Sequence, residues 1–107
     1  MKKVNNITII ELNGDLDSNA AQLVQSQILA LATENSRILL DLSQVNYMSS
    51  AGLRLLLLLY RQIRDHVGHI AIVGLNDEVK DVMAITGFLD FFAIFDTRNA
   101  GMQALSA

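Results

Sequence analysis

Two short, almost uninterrupted apolar runs limit the fold of this chain more than any other feature. They are RILLDL at residues 37–42 and IAIVGL at residues 70–75, and a segment of helical length separates them. Short apolar runs bounded by polar residues are typical of strands that are covered on both faces, as in parallel sheets. Strands that alternate with helices favour a mostly parallel sheet with crossover helices. The sequence therefore predicts an α/β fold.

The rest of the chain continues this alternation. Predicted strands are residues 7–12, 37–42, 70–73 and 92–94, and predicted helices are residues 18–33, 50–65, 77–86 and 98–105. Asp17 or Ser18 is expected to cap the first helix, Asn76 or Asp77 the third, and Gly87 to end the third. We expect a single domain over residues 1–107, with about four to five strands and about four helices. Additional core residues are expected to be Met83, Ile85, Phe88, Leu89, Phe91 and Phe92.

Composition excludes several classes of function. The chain has 107 residues, a net charge of −3 and no cysteine, and its eight Lys and Arg are scattered. The chain has no basic stripe of the kind that would indicate nucleic-acid binding. Because it has no cysteine, thiolate chemistry and disulfides are excluded. No apolar stretch approaches the roughly 20 residues that span a bilayer, and the polar start does not resemble a signal peptide. We expect a cytoplasmic protein that requires no cofactor and no metal and does not act on a membrane.

A small hydroxyl cluster follows the strand at residues 37–42. Ser49 and Ser50 lie at the start of a predicted helix with five consecutive leucines. In open α/β sheets, functional groups gather beyond the carboxyl ends of the strands. The first N–H groups of a helix lack intrahelical acceptors, and its dipole favours negative charge, so an anion on a serine here would find donors. Gly52 would allow another backbone to approach. The alternative is that Ser49 or Ser50 is only an N-cap.

The stretch ILLDLSQVNYMSSAGLRLLL resembles the signature of the STAS domain of anti-sigma factor antagonists. The resemblance extends over nearly the whole chain, from GDLDSNAAQL to ITGFLDFFAIFDT. It implies partner switching in transcription regulation and signal transduction. The unphosphorylated protein would bind an anti-sigma factor that is also a serine kinase, phosphorylation would release it, and a serine phosphatase would restore the first state.

The resemblance also implies a phosphorylation site. The family's usual run is Asp-Ser-Ser-Gly with the first serine as acceptor, and this chain has Ser49-Ser50-Ala51-Gly52. Ser50 therefore matches the acceptor, Ser49 is a rival hydroxyl in place of the aspartate, and Ala51 removes the second serine. Asp17, Ser49 and Gly52 are expected to surround the phosphosite. The alternative is a STAS-like scaffold or ligand-binding module without phosphorylation, or a partner switch that controls a non-sigma output.

The leucine helix offers a candidate partner surface. At about 100° per residue, Leu53, Leu56, Leu57, Tyr60 and Ile63 share one face, which is expected to pack on the sheet. Leu58 falls nearly opposite that face, and Leu55 and Leu59 flank it. A contiguous apolar patch often marks an interface, so Leu55, Leu58 and Leu59 are predicted to bind the partner. The alternative is that neighbouring elements cover Leu55 and Leu59.

Other polar groups are weaker candidates. His66 and His69 are three residues apart, which is compatible with a metal site but is more simply an exposed helix end. Asp15, Asp17 and Asp41 are compatible with the acidic Mg²⁺ cluster of a receiver-type domain. Such a domain has a lysine late in its sequence, and that lysine is not evident here. No nucleophile, base and orienting group occur together, because both histidines lie near the far end of the helix from the serines. The sequence predicts a regulatory protein and not an enzyme.

Overall fold

A five-stranded sheet forms the centre of the computed structural model, which describes residues 2–106. The strands follow the order of the chain, β1 pairs antiparallel with β2, and all later pairs are parallel. The strands are β1 Lys2–Val4, β2 Ile7–Asn13, β3 Arg37–Gln44, β4 His69–Val73 and β5 Ala93–Phe95. The helices are α1 Ser18–Leu29, α2 Ser50–Asp65, α3 Asp77–Ile85 and α4 Arg98–Ser106, with a 3₁₀ turn at Phe88–Phe91. The predicted α/β fold with a mostly parallel sheet is confirmed.

Helices cover both faces of the sheet. Because side chains alternate along a strand, Ile38, Leu40 and Leu42 of β3 pack into the core shared with the residues of α1, α2 and α3. Leu39 faces the other way and packs with Leu105 of α4. α4 approaches the sheet closely because Gly101 has no side chain: a Cβ there would lie 2.7 Å from Leu39 Cδ1. Both faces of β3 are therefore buried, as its apolar run predicts.

The structure differs from the sequence expectations in the presence of β1, in the end of α1 and in two expected core residues, apart from the α2 surface described below. β1 was not expected, and it forms a hairpin with β2 through Asn5 and Asn6, whose φ angles of 51° and 66° are those of a two-residue type I′ turn. α1 ends at Leu29 and not at residue 33, because the chain continues in tighter turns over residues 30–33. Ile85 and Phe91 were expected in the core but are 86% and 45% exposed. Both side chains face solvent because α3 ends at Ile85 and the 3₁₀ turn ends at Phe91.

No helix within residues 2–106 is both long enough and apolar enough to cross a membrane.

The end of α2 contains a strained valine. The Gly68 N–H donates to the Ile63 carbonyl at 2.8 Å and the Val67 N–H to the Arg64 carbonyl at 3.1 Å, which is the Schellman pattern of a helix end. In this motif the residue at position 67 adopts the left-handed conformation, and Val67 has φ 58°. A left-handed backbone costs an L-residue about 1–2 kcal/mol, and branching at Cβ makes it less favourable still. Val67 is 67% exposed, so it contributes little packing in return.

We expect Val67→Asn to raise the free energy of unfolding by about 1 kcal/mol, because asparagine tolerates the left-handed region. The measurement is urea denaturation followed by circular dichroism. Val67→Thr is the matched control, since it adds polarity but keeps the branched Cβ, and it should give no gain. Equal stabilisation by both variants would show that exposure of the valine, and not its backbone strain, is the cause.

Candidate functional site

Two loops meet beyond the carboxyl ends of β2 and β3. The Gly14 N–H donates to the Gln44 carbonyl at 3.0 Å, and the Leu16 N–H donates to the Tyr47 carbonyl at 2.8 Å. A short parallel bridge pairs Leu16 with Met48. These bonds form because β2 and β3 are adjacent and parallel, so both chains leave the sheet at the same edge. The loop that carries the serines is thereby fixed to the loop that leads into α1.

A second anchor holds the serine loop from the side of α3. Asn76 caps α3 by accepting from the Val79 N–H at 2.8 Å, as the sequence predicts. Its amide also donates to the Val45 carbonyl at 2.8 Å. One asparagine thus satisfies a free helix N–H and a loop carbonyl. The loop between β3 and α2 is therefore held on both sides, which gives the serines a rigid base.

Ser49 is the N-cap of α2. Its Oγ accepts from the Gly52 N–H at 3.2 Å and donates to the Leu16 carbonyl at 2.8 Å, and its own N–H donates to the same carbonyl at 2.9 Å. Gly52 favours this approach, because a Cβ there would lie 3.0 Å from the Leu16 oxygen, which is closer than an ordinary van der Waals contact. The expectation that Gly52 admits another backbone is confirmed. The Ser49 hydroxyl is half-buried and both of its hydrogen-bonding functions are used by the fold.

Ser50 is the first residue of α2 and is exposed. Among residues 2–106, its side chain makes no hydrogen bond, in contrast to that of Ser49. It lies in the helix turn whose N–H groups lack intrahelical acceptors, where the helix dipole favours negative charge. The structure thus separates the two hydroxyls: Ser49 stabilises the loop junction, and Ser50 is accessible to another protein.

Asp17 caps α1, as the sequence predicts, and its Oδ1 accepts from the Ala20 N–H at 2.9 Å. It follows Leu16, so its loop is in direct contact with the serine loop through the bonds to Ser49. Its carboxylate is exposed. A role for Asp17 in the environment of a phosphate on Ser50 stays a prediction.

The structure corrects the predicted partner surface on α2. Leu55 and Leu59 are only 1% and 0% exposed and belong to the core. The side of α2 that carries them faces α1, and the Gln62 amide further along the same side donates to the Leu29 carbonyl of α1 at 2.7 Å. The helical wheel placed Leu53, Leu56 and Ile63 correctly in the core, but it wrongly placed Leu57 there and could not show that α1 covers the neighbouring side of α2. Leu58 is half-buried and is the one predicted leucine that reaches the surface.

The exposed side of α2 carries charge as well as apolar surface. Arg54 and Arg61 are exposed and lie four and eleven residues after Ser50, so all three residues share one helical face. Leu57 and Leu58 are half-buried beside them. We call the face formed by Ser50, Arg54, Leu57, Leu58 and Arg61 the α2 outer face. The sequence reasoning missed Arg54 as a candidate, although its i+4 spacing from Ser50 was a readable signal.

A second residue missed from the sequence is Tyr47, which is 53% exposed three positions before Ser50. Exposed aromatic residues are enriched where proteins bind one another. The sequence could have indicated Tyr47, because it is the aromatic residue of the loop between β3 and α2. The other large side chain of this loop, Met48, is buried.

The acidic and histidine candidates lie apart from one another. His66 follows the last residue of α2, and its Nδ1 is 2.8 Å from the Gln62 carbonyl. Asp41 is buried and directed to the α4 side of the sheet, where Arg98 Nε donates to its Oδ2 at 2.6 Å. Within residues 2–106, no group of three or more His, Asp or Glu side chains could hold a metal ion.

The pKa of Asp41 reflects its surroundings. Burial raises the pKa of its carboxyl group, but the N–H and side chain of Ser43 and the guanidinium of Arg98 outweigh burial, so the pKa lies below its ordinary value. The hydrogen bond to Asp41 raises the pKa of Arg98 in turn. Arg98 also forms an ion pair with Glu11. This network fastens the start of α4 to β2 and β3 and is structural in character.

Known proteins share this architecture and sequence pattern. The STAS domain family model matches residues 1–101. BtrV of Bordetella bronchiseptica, whose designation as an anti-sigma factor antagonist is provisional, is 33% identical over 105 residues, covering 97% of this chain and 90% of BtrV. The crystal structure of TM1081 from Thermotoga maritima has a TM-score of 0.93 at 25% identity, covering 99% of this chain and 92% of TM1081.

The fold is also that of the Bacillus protein SpoIIAA, an anti-sigma factor antagonist whose structure is known in two forms. The unphosphorylated form has a TM-score of 0.74 and the phosphorylated form 0.73, each at 17% identity and covering 97% of this chain, with 92% and 95% of the SpoIIAA chains covered. The family model matches residues 1–101, and a relative with 33% identity aligns along 97% of the chain. The chain therefore belongs to the STAS domain family.

Proposed function

We propose that this protein is an anti-sigma factor antagonist in a partner-switching pathway, and that Ser50 is its switch. In the unphosphorylated state it binds an anti-sigma factor that is also a serine kinase. Phosphorylation of Ser50 releases that partner, and a serine phosphatase resets the protein. The role is regulatory and not enzymatic, and it places the protein in the cytoplasm with the transcription machinery.

The contrast between the two serine hydroxyls carries this proposal. A kinase must reach a hydroxyl group, and Ser50 is exposed and free of hydrogen bonds within the described chain. Modification of Ser49 would remove its donor bond to the Leu16 carbonyl and place a phosphate in a half-buried junction. The cost of an unsatisfied buried polar group is about 1–3 kcal/mol, so phosphorylation at Ser49 opposes the fold and phosphorylation at Ser50 does not.

The departure from the family's usual aspartate supports the same assignment. Aspartate and serine are both strong N-cap residues, because each offers a side-chain oxygen to the free N–H groups of the first turn. Ser49 makes this bond to the Gly52 N–H. Ser49 thus supplies the cap that an aspartate would supply at this position, and it leaves the acceptor role to Ser50.

The α2 outer face is the proposed binding surface for the kinase partner. It lies on the same side of α2 as Ser50 and combines two arginines with the half-buried Leu57 and Leu58. Arginine is enriched at protein interfaces, and apolar side chains beside it supply the surface that is desolvated on binding. Leu58 keeps the partner-binding role predicted from the sequence, whereas Leu55 and Leu59 serve the core.

Phosphorylation at residue 50 is tested by intact-mass analysis of the protein recovered from its own cells. We expect a species heavier by one phosphate that is present in wild type and in Ser49→Ala and absent in Ser50→Ala. Ser49→Ala should also lower the free energy of unfolding by about 1 kcal/mol because the helix loses its cap. Phosphate at Ser49 in the Ser50→Ala variant would place the acceptor one position earlier.

No phosphate on any variant under conditions that change the pathway's output would favour a STAS scaffold or ligand-binding module.

A further inference from the structure

Two surface hollows lie between β2 and α1, and none of the described residues that line them belongs to the loops that carry the serines. They have volumes of about 450 and 290 Å³ and share Leu31, and we call the two together the β2–α1 trough. Its larger hollow is lined by Ile10, Glu11, Leu12, Val24, Gln27, Ile28 and Leu31. Its smaller hollow is lined by Lys2, Lys3, Thr8, Ala30, Leu31 and Thr33.

The walls of the larger hollow are apolar because β2 and α1 both direct apolar side chains toward it. Ile10 and Leu12 are alternate residues of β2, so both side chains face the helical layer. Val24, Ile28 and Leu31 recur at helical spacing along α1 and the turn that follows it. Among the described residues that line this hollow, Glu11 is the one that is ionisable, and its carboxylate is paired with Arg98. The described lining of this end therefore carries no unpaired charge.

The smaller hollow has the opposite character. Lys3 pairs with Thr8 in the antiparallel register of β1 and β2, so both side chains lie on the face of the sheet that carries Ile10. Thr33 completes the polar surroundings, and Lys3 is exposed. This end offers the Lys3 ammonium group and hydroxyl donors, which favour an anion. The trough thus has one apolar hollow and one cationic hollow, which share Leu31.

We propose that the β2–α1 trough binds a free fatty acid of medium or long chain. The acyl tail lies against Leu12, Val24 and Leu31, and the carboxylate lies at the Lys3 and Thr8 end. The two hollows together fall in the range of small-molecule sites, about 300–1,000 Å³, which are mostly apolar with a few polar groups.

The test is calorimetric titration of the whole chain with dodecanoate below its aggregation concentration, with amide NMR mapping of the bound state. We expect one saturable site, with shifts concentrated at residues 8–12 and 24–33. Dodecanol has the same tail without the charge and should bind at least tenfold more weakly. Affinity should rise from octanoate to dodecanoate, because each methylene adds buried apolar surface.

Variants separate the two ends of the site. Val24→Trp fills the apolar hollow, and Lys3→Glu reverses the charge at the other end, so each should weaken dodecanoate binding at least tenfold. Lys80→Glu on α3 is the matched control and should bind as wild type does. Lys3 is exposed on the edge hairpin, so its variant decides the question even if Val24→Trp fails to fold.

Four outcomes would overturn the proposal. The first is the absence of saturable binding, and the second is equal binding of dodecanol and dodecanoate with no effect of Lys3→Glu. The third is binding of the protein only to anionic phospholipid vesicles. The fourth is a dimer in sedimentation that Val24→Trp dissociates. The second outcome would mean unspecific partition, the third a membrane surface, and the fourth a second copy of the chain over the trough.

Discussion

Phosphorylation of Ser50 is expected to weaken binding of the kinase partner about a hundredfold without changing the fold. A phosphate adds about −1.5 to −2 charges at neutral pH. At the first turn of α2 the helix dipole stabilises that charge by about 0.3–1 kcal/mol. This is small beside the 5–15 kcal/mol by which a domain of this size is stable. The charge therefore acts on the interface and not on the domain.

The interface effect follows from desolvation. A partner that covers Ser50 and the α2 outer face must remove water from the phosphate or place it beside the partner's own acidic groups. A loss of about 2.7 kcal/mol corresponds to the hundredfold change. Arg54 lies one helical turn from Ser50 and is exposed, so the phosphate competes with the partner for its guanidinium. Both effects act in the same direction.

The measurement is calorimetric affinity of the purified partner for the unmodified protein and for the protein with phosphoserine at position 50, with an amide NMR map of each. Leu58→Glu on the same face should also weaken binding and leave the fold intact. Gln103→Glu is the control, because it adds a charge to an exposed site on α4 across the sheet. Wild-type affinity of the phosphorylated form, or shifts spread through all five strands, would contradict the interface mechanism.

Leu59→Ala separates the core role from the partner role on α2. Leu59 is fully buried, so truncation should destabilise the protein by about 2–5 kcal/mol, whereas Leu58→Glu should not.

Loss of the Arg98 guanidinium is expected to lower the free energy of unfolding by about 2–3 kcal/mol at pH 7. Asp41 is only 4% exposed, and Arg98→Ala leaves its carboxylate buried with only the groups of Ser43 beside it. Removing one partner of a buried ion pair costs about 3–5 kcal/mol. The expected effect is smaller here because the Arg98 side chain is 41% exposed, so water enters the space that it leaves.

The pH dependence of this effect has a definite sign. The pKa of Asp41 is lower in the folded protein than in the unfolded chain. Its stabilisation is therefore fully present above the ordinary aspartate pKa of about 3.9 and is lost as the pH falls through the folded-state value. The difference between wild type and Arg98→Ala should be largest near pH 7 and should shrink below about pH 4.

Urea denaturation at several pH values measures both quantities. Asp41→Asn combined with Arg98→Ala should recover part of the loss, because the double variant no longer buries an unpaired charge. Lys80→Ala, an exposed lysine on α3, is the control and should have almost no effect. A difference between wild type and Arg98→Ala that stays constant from pH 7 to pH 3 would show that lost packing of the arginine stem, and not the charge of Asp41, is responsible.

Local patterns in the sequence were sufficient to predict the class of the fold and most of its helices and strands. The bounds of α2 agree with residues 50–65, and the start of β3 agrees with residue 37, because an apolar run and a capping serine are local signals. Asp17 and Asn76, the observed caps, were each one of two predicted candidates for the same reason. β1 was missed because a three-residue strand gains its stability from pairing with β2 and has almost no pattern of its own.

The contacts of each side chain at the site depend on segments that are distant in sequence and could not be read from local patterns. Ser49 and Ser50 are adjacent in sequence, but the carbonyl of Leu16, 33 residues away, accepts from Ser49, whereas the Ser50 side chain has no hydrogen-bond partner between residues 2 and 106. Leu55 and Leu59 looked exposed on a helical wheel, and α1 covers them. Asp41 and Arg98 are 57 residues apart and meet across the sheet. Local patterns specify periodicity and caps, whereas burial and pairing depend on which distant segments the fold brings into contact.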